Sequence, residues 1–534
     1  MALDLLDLEI VWGRLQSFVD EAALRMVKSS FSSIIREGKD YCIMLLNRNG
    51  DSIVQSSGSI PAFFGTMPRT VKAMLAKYPI EAWSPGDVVC TNDPWLGAGH
   101  LQDVNIAAPV IAAGRVIGFV GVIAHMADIG GRGFVPDSKE IYEEGLRLPI
   151  LRLRRGGQRN TDIEDIIREN VRLSTLVLGD IDGMVAATGY VTRRVLGLVA
   201  SAGVDLDLVS SQIHGLCETA LRSAIRKLPD GVYRNQIQVE AGEEDLTICI
   251  ACHIDGDALR VDYAGSSPQT TTRAINCALG YTFSYSAYAA KCLLAPEIPI
   301  NDGTFRPLAV TAPERSIVNC AAPMPVTARN LVGHYLPAAI YGALARAIPE
   351  RVVAECGSPR PMISLNGHHP DGSRYSSTLF LHGGMGASAA MDGPPCIAFP
   401  TNSAAAPTEI LELTTPILVE EKELLTDSGG AGRHRGGSGQ RIVIRSRSDI
   451  PINASILGQR LRHRAAGLLG GQSGTATSAR LNGKIEPRLF VQLKMQRGDV
   501  MEVCSPGGGG YGDPAERDPA AAVQDIAGGY ASGT

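Results

Sequence analysis

The sequence predicts an α+β fold of several domains: a helix and two β-hairpins first, then a helical middle and a glycine-rich, β-containing C-terminal part. Three observations carry this prediction. Apolar residues recur at helical spacing over residues 4–34, two apolar arms flank a turn at Gly114, and strand signals between glycines fill the last third. With 534 residues, 45% of them hydrophobic, the chain can bury a sizeable core.

Four regions follow from these patterns in chain order. Residues 1–160 are expected to form an α+β region that carries a candidate metal site. Residues 161–230 are expected to form a helical segment, because helical repeats there begin with acidic residues. The pattern then shifts to alternation, which predicts an α+β domain over 231–350. Residues 351–534 are predicted to be a mainly β domain, since glycine-rich stretches separate short strands.

Two strand pairs follow the N-terminal helix. Residues 40–55 are typical of a hairpin with its turn at 47–51, and Asp40 enters the first strand. A second hairpin is predicted between residues 103 and 125, folded around Gly114. In an antiparallel pair folded there, residues that face each other have numbers that sum to about 228.

The second hairpin gathers polar residues at its open end. Its register sets Asp103 opposite His125 and His100 opposite Asp128, and the glycine-rich loop 130–136 is placed to line the same end. Imidazole nitrogens and carboxylates suit zinc, manganese or iron(II), and three or four protein ligands leave a position open for water or substrate. Any one of these residues alone is more often a hydrogen-bonding residue at a strand end. Their convergence favours a metal site.

Charge and composition exclude several classes of partner. Lys and Arg total 50 against 55 Asp and Glu, the net charge is −5, and no basic block occurs, so nucleic acid is not expected. The acidic N-terminus is unlike a signal peptide, and no apolar stretch reaches the roughly eighteen residues of a membrane span. Eleven scattered cysteines suit free thiols in a reducing compartment. We therefore expect a cytoplasmic protein without membrane or nucleic-acid partners.

The sequence offers no cofactor-binding motif of its own. It contains no Gly-x-x-x-x-Gly-Lys-Ser/Thr loop, so nucleotide binding by this chain is not supported. Gly507, Gly509 and Gly512 satisfy Gly-x-Gly-x-x-Gly, but no βαβ unit can follow, and we expect a chance match or a turn. Residues 249–253 match the haem-attachment string inside a strand-like run, where the two cysteines fall on opposite faces.

Several short motifs lie in order along nearly the whole chain. They are Asn92-Asp93-Pro94, His100 with Asp103, His125-Met-Ala-Asp128, Glu144-Gly145-Leu146-Arg147, Phe305-Arg306-Pro307, Asp427-Ser428-Gly429-Gly430, Arg435-Gly436-Gly437 and the run from Gly507 to Pro514. Together they resemble the hydantoinase B/oxoprolinase family. Two positions depart from the family pattern: Ala98-Gly99 stands where Gly-Thr is usual, and Ser388 stands where an arginine is common.

The resemblance implies the B-type subunit of an ATP-dependent enzyme that opens cyclic amides such as hydantoins, lactams or 5-oxoproline. A separate hydantoinase A-type subunit would hold the ATP, so a hetero-oligomer is expected. The family's metal ligands map onto His100, Asp103 and His125, with Asp40 as a further carboxylate. Zinc is the preferred metal, and manganese and iron are alternatives.

Asp128 is the candidate catalytic residue. It would act as a general base or as an anchor for an imidazole, with a further metal ligand as the alternative. No substrate-binding residue is assigned.

Two alternative functions stay open. The first is a subunit of an ATP-dependent ketone carboxylase of the acetone or acetophenone type, which would require bicarbonate. The second is a non-catalytic scaffold for the A-type subunit, in which the His and Asp cluster is structural.

Overall fold

The computed structural model describes residues 3–485 and 490–533, and its first region is one seven-stranded sheet with helices. The elements of this region are α1 (Leu5–Ser29), α2 (Ser33–Arg36), α3 (Thr66–Lys77), β1 (Tyr41–Asn47), β2 (Ser52–Gln55), β3 (Val88–Thr91), β4 (Asp103–Ala112), β5 (Arg115–His125), β6 (Leu151–Arg155) and β7 (Gln158–Arg159). The strand order is β2-β1-β5-β4-β3-β6-β7. The predicted α+β class is confirmed.

The N-terminal helix begins as predicted and ends earlier than expected. Asp4 caps it by accepting a backbone hydrogen bond from the first turn at 2.8 Å, and buried side chains recur every three or four residues. The helix ends at Ser29 because the N–H groups of Phe31 and Ser32 donate to Oδ1 of Asp180 instead of continuing the helical hydrogen bonds. The predicted helix over 4–34 is therefore two helices, α1 and α2.

Side chains of the first sheet alternate between two faces, and both faces are buried. In β1, Tyr41, Ile43 and Leu45 belong to the core shared with α1, whereas Cys42 and Met44 belong to the core shared with α3. Every position of β1 is buried. The strand is consequently apolar throughout rather than alternating, as expected for a strand between two layers.

The predicted register of the second hairpin is confirmed at the end that carries the polar residues. Asp103 pairs with His125, and one step further the N–H of Met126 donates to the carbonyl of Gln102 at 2.8 Å. A bulge near the turn shifts the pairing by one residue and does not reach this end. Asp40 precedes β1, and its carbonyl accepts from the N–H of His125 at 3.1 Å.

Residues 161–230 are helical, as predicted. The helices are α4 (Thr161–Asn170), α5 (Ser174–Ala202) and α6 (Leu206–Ile225). Most of their buried apolar side chains share one core with α1 and the first sheet, whereas Leu221 and Ile225 of α6 belong to the core that contains α3. Over the described ranges no single helix has the length and hydropathy of a membrane span. Only α5 and α6 taken together, with a bend of 100° between them, meet that criterion.

Residues 231–350 contain both helices and strands, as predicted. The elements are β8 (Gly231–Ala241), β9 (Glu244–Asp255), β10 (Ala258–Asp262), α7 (Leu279–Leu294), α8 (Asp302–Phe305), β11 (Leu308–Thr311), α9 (Asn330–Gly333) and α10 (Leu336–Leu344). The strands form a second sheet in the order β11-β10-β9-β8. Side chains of α7 and α10 lie in the core that joins this sheet to the first one.

The C-terminal part is mainly β, as predicted. Its elements are β12 (Met362–His368), β13 (Arg374–Phe380), α11 (Thr408–Thr414), β14 (Ile417–Leu424), β15 (Gln440–Ser446), β16 (Ile452–Leu457), β17 (Ser478–Leu481), β18 (Lys484–Ile485), β19 (Phe490–Met495), β20 (Val500–Cys504) and α12 (Pro519–Ala527). Two sheets, β13-β12-β16-β19 and β14-β15-β20-β17-β18, enclose a third core.

Residues 507–510 are not a turn; they run through the centre of a bundle of glycine-rich segments. The N–H groups of Gly508, Gly509 and Gly510 donate to the carbonyls of three separate segments, at Gly437, Glu355 and Gln472. A Cβ atom on Gly508 would lie 2.1 Å from the carbonyl oxygen of Met385. Glycine is needed here because the backbones pack against one another with no room for side chains.

Candidate metal centre

Two histidines and one aspartate meet at the open end of the second hairpin. Nε2 of His100 lies 2.7 Å and Nδ1 of His125 lies 3.0 Å from the same oxygen, Oδ1 of Asp103. One ligand-type atom from each residue lies within 4.8 Å of the other two. The structure thus brings together three of the four predicted metal ligands.

No proton lies between Nε2 of His100 and Oδ1 of Asp103, the two atoms through which these residues face each other. Nδ1 of His100 is 3.1 Å from the carbonyl oxygen of Thr327, which can only accept, so Nδ1 carries the ring proton. Burial and the charge of Arg329 lower the pKa of His100 to about 4, and the ring is neutral at pH 7. Nε2 therefore presents a lone pair to the carboxylate.

This arrangement fits a metal ion. Nε2 of His100 is buried and has no hydrogen-bond partner among the described residues, although a carboxylate oxygen lies 2.7 Å away. Two facing lone pairs at this distance repel each other unless a cation lies against both. A neutral imidazole, an ionised carboxylate and a second imidazole are the donors that zinc, manganese or iron(II) accept.

Asp40 lies beside this group. Its Oδ2 is 3.9 Å from Nδ1 of His125, and it does not belong to the set of mutually close ligand atoms in the described ranges. Burial raises the pKa of Asp40, against the charge of His125. Burial lowers the pKa of His125, but the hydrogen bond to Asp103 and the charge of Asp40 outweigh it and raise that pKa. The role of Asp40 as a ligand stays a prediction.

Arg329 binds Asp103 on the side away from the two imidazoles. This arginine was not among the site residues predicted from the sequence. Its Nη2 donates to Oδ2 of Asp103 at 2.7 Å, and its Nε donates to the carbonyl of Ala98 at 2.8 Å. The guanidinium carbon lies 4.3 Å from the centre of the Tyr281 ring. Burial would raise the pKa of Asp103, but the charge of Arg329 and the hydrogen bond from His125 hold it well below its usual range. Asp103 is therefore an ionised carboxylate whose Oδ2 is bound by the arginine and whose Oδ1 faces the two imidazoles.

Glu144 holds the segment that orients His100. It is fully buried, and its Oε1 accepts hydrogen bonds from the N–H groups of Val326 and Thr327 at 2.8 and 2.9 Å. Burial raises the pKa of Glu144 to about 8, although these hydrogen bonds lower it. Because the carbonyl of Thr327 faces His100, Glu144 positions the imidazole through the intervening peptide.

The His100, Asp103 and His125 group opens on a cavity of about 590 Å³. Phe134, from the glycine-rich loop, has its ring centre 6.2 Å from that of His100 and 6.4 Å from that of His125. The prediction that loop 130–136 lines the site is confirmed. Residues of the C-terminal sheets, such as Asn366 and Tyr375, line the opposite side. The volume suits a small-molecule ligand.

Asp128 lies on the cavity wall but outside the metal-ligand group. Its Oδ1 accepts from Gly130 N at 3.2 Å and from Nη2 of Arg172 at 2.6 Å. Its Oδ2 accepts from the backbone N–H groups of Arg172 and Leu173. The strands diverge after Met126, so the expected position opposite His100 is not realised as a strand pair. These contacts suit an anchor for the loop, and the catalytic role of Asp128 stays a prediction.

Two further buried residues on the cavity wall were not predicted. Nδ1 of His334 has no hydrogen-bond partner in the described chain, and burial together with Arg360 and Arg329 lowers the pKa of its ring well below 6.5. Burial lowers the pKa of Arg360 to about 10. The sequence holds no local signal for either, because nothing in a run such as Pro359-Arg360-Pro361 shows that the arginine is buried.

These features define an α+β protein with a buried His-Asp-His site at the wall of a ligand-sized cavity. The profile of the family described as Hydantoinase B/oxoprolinase matches residues 4–514. The chain belongs to this family, as the sequence motifs predicted.

Known relatives match the chain over nearly its full length. It is 30% identical to the beta subunit of caprolactamase from Pseudomonas jessenii, over 99% of this chain and 94% of that one. It is 28% identical to a protein named as the B subunit of a D-/L-hydantoinase from Pseudomonas sp. (strain NS671), over 99% and 93%.

Two solved structures share the fold. The crystal structure of the ATP-dependent caprolactamase from Pseudomonas jessenii superimposes with a TM-score of 0.91 at 28% identity, covering 99% of this chain and 94% of that one. Acetone carboxylase in its nucleotide-free form superimposes with a TM-score of 0.88 at 21% identity, covering 98% and 78%. At that identity the second match shows a common fold alone.

Proposed function

We propose that this chain is the metal-binding B-type subunit of an ATP-dependent hydrolase that opens a cyclic amide. One observation carries the proposal: a neutral imidazole and an ionised carboxylate face each other at 2.7 Å, beside a second imidazole, on the wall of a ligand-sized cavity. The full-length similarity to hydantoinase and caprolactamase subunits supports hydrolysis of a cyclic amide as the reaction.

His100, Asp103 and His125 would hold the metal, with Asp40 as the adjacent carboxylate. Zinc is the preferred ion, and manganese and iron(II) suit the same donors. Bound there, a divalent metal supplies Lewis-acid polarisation to a carbonyl oxygen or a water molecule.

The protein's own residues prepare the site for ring opening. Arg329 holds Asp103 ionised and in one orientation, and the carbonyl of Thr327 fixes the tautomer of His100. Phe134 covers the two imidazoles with an apolar ring, which limits the access of bulk water. Asp128, held by Arg172, is placed to anchor the covering loop; to act as a general base it must release one of these hydrogen bonds.

ATP is assigned to a partner. No Gly-x-x-x-x-Gly-Lys-Ser/Thr loop occurs in the sequence, and the relatives are named as the B or beta subunits of their enzymes. We therefore propose a hetero-oligomer in which ATP binds to an A-type partner, which activates the amide. The opened ring and the spent nucleotide are then products of the complex.

The test is a substrate screen of the complex co-purified with its A-type partner. Hydantoin, 5-oxoproline and caprolactam are supplied with ATP, with and without bicarbonate, and ADP and the ring-opened product are measured. We expect ring opening without bicarbonate, and a strict need for bicarbonate and a ketone would favour the carboxylase instead.

Substitution of the ligands separates the enzyme from the scaffold. His100→Ala and His125→Ala should each lose bound metal, measured by elemental analysis, and lose activity by about 100-fold or more. His253→Ala, at a histidine on β9, serves as the control and should keep both. Full metal content and full activity in both site variants would overturn the proposal.

A further inference from the structure

We infer that Arg360 binds an oxyanion of the ligand, a carboxylate or phosphoryl group, in the cavity that holds the metal centre. The anion subsite follows from the contacts of Arg360; the identity of the ligand as a cyclic amide or its activated form rests on the proposed function.

The guanidinium of Arg360 is buried and only partly hydrogen-bonded. The residue is 5% exposed. Its Nη1 donates to Oγ1 of Thr401 at 2.7 Å and its Nη2 to Oγ of Ser403 at 2.8 Å, while Nε has no partner among the described residues. The guanidinium carbon lies 4.4 Å from the centre of the Phe380 ring. Two neutral hydroxyls and an aromatic face do not neutralise its charge.

Other buried arginines have a carboxylate partner. These arginines are Arg154, Arg329 and Arg460. Their nitrogen-to-oxygen distances are 2.7 Å to Glu164, 2.7 Å to Asp103 and 2.5 Å to Glu355, respectively. Over residues 3–485 and 490–533, Arg360 has no carboxylate oxygen within 4.0 Å. An unpaired buried cation costs stability, so its presence calls for a partner that arrives from solution.

The position of Arg360 identifies where that partner lies. Arg360 lines the same cavity as His100, Asp103 and His125. The charge of Asp40 and the neighbouring tyrosines favour its ionised form, although burial prevails and lowers the pKa to about 10. The side chain is therefore cationic at pH 7 and lies at the lining of the cavity.

A second unpartnered group, His334, lines the same cavity. His334 is 4% exposed, lines the cavity, and has a neutral ring whose Nδ1 lacks a hydrogen-bond partner within the described ranges. An oxyanion offers several lone pairs to the free N–H of Arg360, which a neutral amide oxygen matches only in part. The unpaired charge of Arg360 therefore suits a ligand that carries an anionic group in the cavity lined by the candidate metal ligands.

The anionic group has two chemical sources, which the probes distinguish. A carboxylate attached to the ring is present in 5-oxoproline and absent from 2-pyrrolidinone, the same lactam without the acid. A phosphoryl group is represented by inorganic phosphate. Binding of each probe to the full chain is measured by calorimetry, with the wild type and with Arg360→Met.

We expect 5-oxoproline or phosphate to bind the wild type, and Arg360→Met to weaken that binding by about 30-fold or more. Affinity for 2-pyrrolidinone should change little. Arg132→Met is the control, because Arg132 lines the same cavity but already pairs with Asp137 and Glu143. Equal affinity of wild type and Arg360→Met for both anions, or no anion binding by the wild type, would overturn the inference.

Thermal unfolding tests whether Arg360 has a structural role. Removing an unpaired buried charge should leave the Tm of Arg360→Met equal to or above that of the wild type. Arg460 is likewise buried and lies over an aromatic ring, that of Tyr335, but it is paired with Glu355. Arg460→Met should therefore lower the Tm. A large drop in Tm for Arg360→Met would show that the arginine serves the fold.

The two proposals fail separately. Metal content reports on His100, Asp103 and His125, whereas anion affinity is compared between chains of equal metal content. A chain that holds metal but shows no Arg360-dependent anion binding overturns the inference alone.

Discussion

Arg329 binds one oxygen of Asp103 and leaves the other facing two imidazoles. The Nη2 to Oδ2 distance is 2.7 Å, and both side chains are nearly fully buried, at 6% and 1% exposed. Since an arginine can hold the plane of a carboxylate, Oδ1 is fixed where His100 and His125 approach it at 2.7 and 3.0 Å. The pair therefore determines the geometry of the candidate metal centre.

Arg329→Lys should weaken metal binding by about 10- to 100-fold, because an ammonium cannot reproduce the contacts to Asp103 and Ala98 together. Competition with a chromophoric chelator measures the affinity. Arg447→Lys, at an exposed arginine, is the control. Unchanged affinity in Arg329→Lys would contradict the positioning role.

Removal of the metal should destabilise the protein. Binding to the folded state alone adds stability, and without a cation His100 and Asp103 are left with facing lone pairs. Treatment with a chelator should lower the Tm by on the order of 5 °C, measured by calorimetry. His100→Ala should abolish the response to chelator, and a response of the same size in that variant would place the metal elsewhere.

Stability should fall with rising pH through the titration of Glu144. Burial raises its pKa from 4.5 to about 8, so the folded state holds the proton more tightly than the unfolded state. The resulting stabilisation is fully present below pH 4.5 and is lost as the pH rises through about 8. A pKa shift from 4.5 to about 8 corresponds to a loss on the order of 5 kcal/mol.

Glu144→Gln tests this by removing the proton while keeping an acceptor for Val326 and Thr327. Its free energy of unfolding, from denaturant titrations between about pH 5 and about pH 9, should vary less with pH than that of the wild type. Glu143→Gln, at the neighbouring partially exposed residue, should keep the wild-type slope. Parallel slopes for Glu144→Gln and wild type would refute the assignment.

A methyl group should not be tolerated in the glycine bundle. Gly508→Ala would place Cβ 2.1 Å from the carbonyl of Met385, a contact that only a backbone shift can relieve. We expect a loss of about 3 kcal/mol or more in the free energy of unfolding. Gly215→Ala in α6 meets no atom within 4 Å and should be neutral or stabilising by about 0.5–1 kcal/mol. Equal stability of both variants would contradict the packing described.

Local patterns in the sequence predicted the elements that carry the site. Alternation and the turn at Gly114 placed Asp103 opposite His125, and the structure has that pair. The predicted end of the N-terminal helix was wrong, because Asp180, far along the chain, accepts hydrogen bonds from the N–H groups that would have continued the helix. The match at 507–512 was expected to be due to chance or to a turn, and the packed bundle was not predicted, because glycine spacing is the same in a turn and in a packed bundle.

The sequence by itself determined the fold class, the hairpin register, the family and three residues able to ligate a metal, because periodicity and antiparallel pairing are local properties of the chain. Only the tertiary structure decided which charges are buried and what they face. Arg329 binds Asp103, which lies 226 positions away along the chain. Arg360 is buried at the lining of the same cavity, and no carboxylate among the described residues pairs with it. Burial and the pairing of charges depend on packing between distant segments, which no local pattern records.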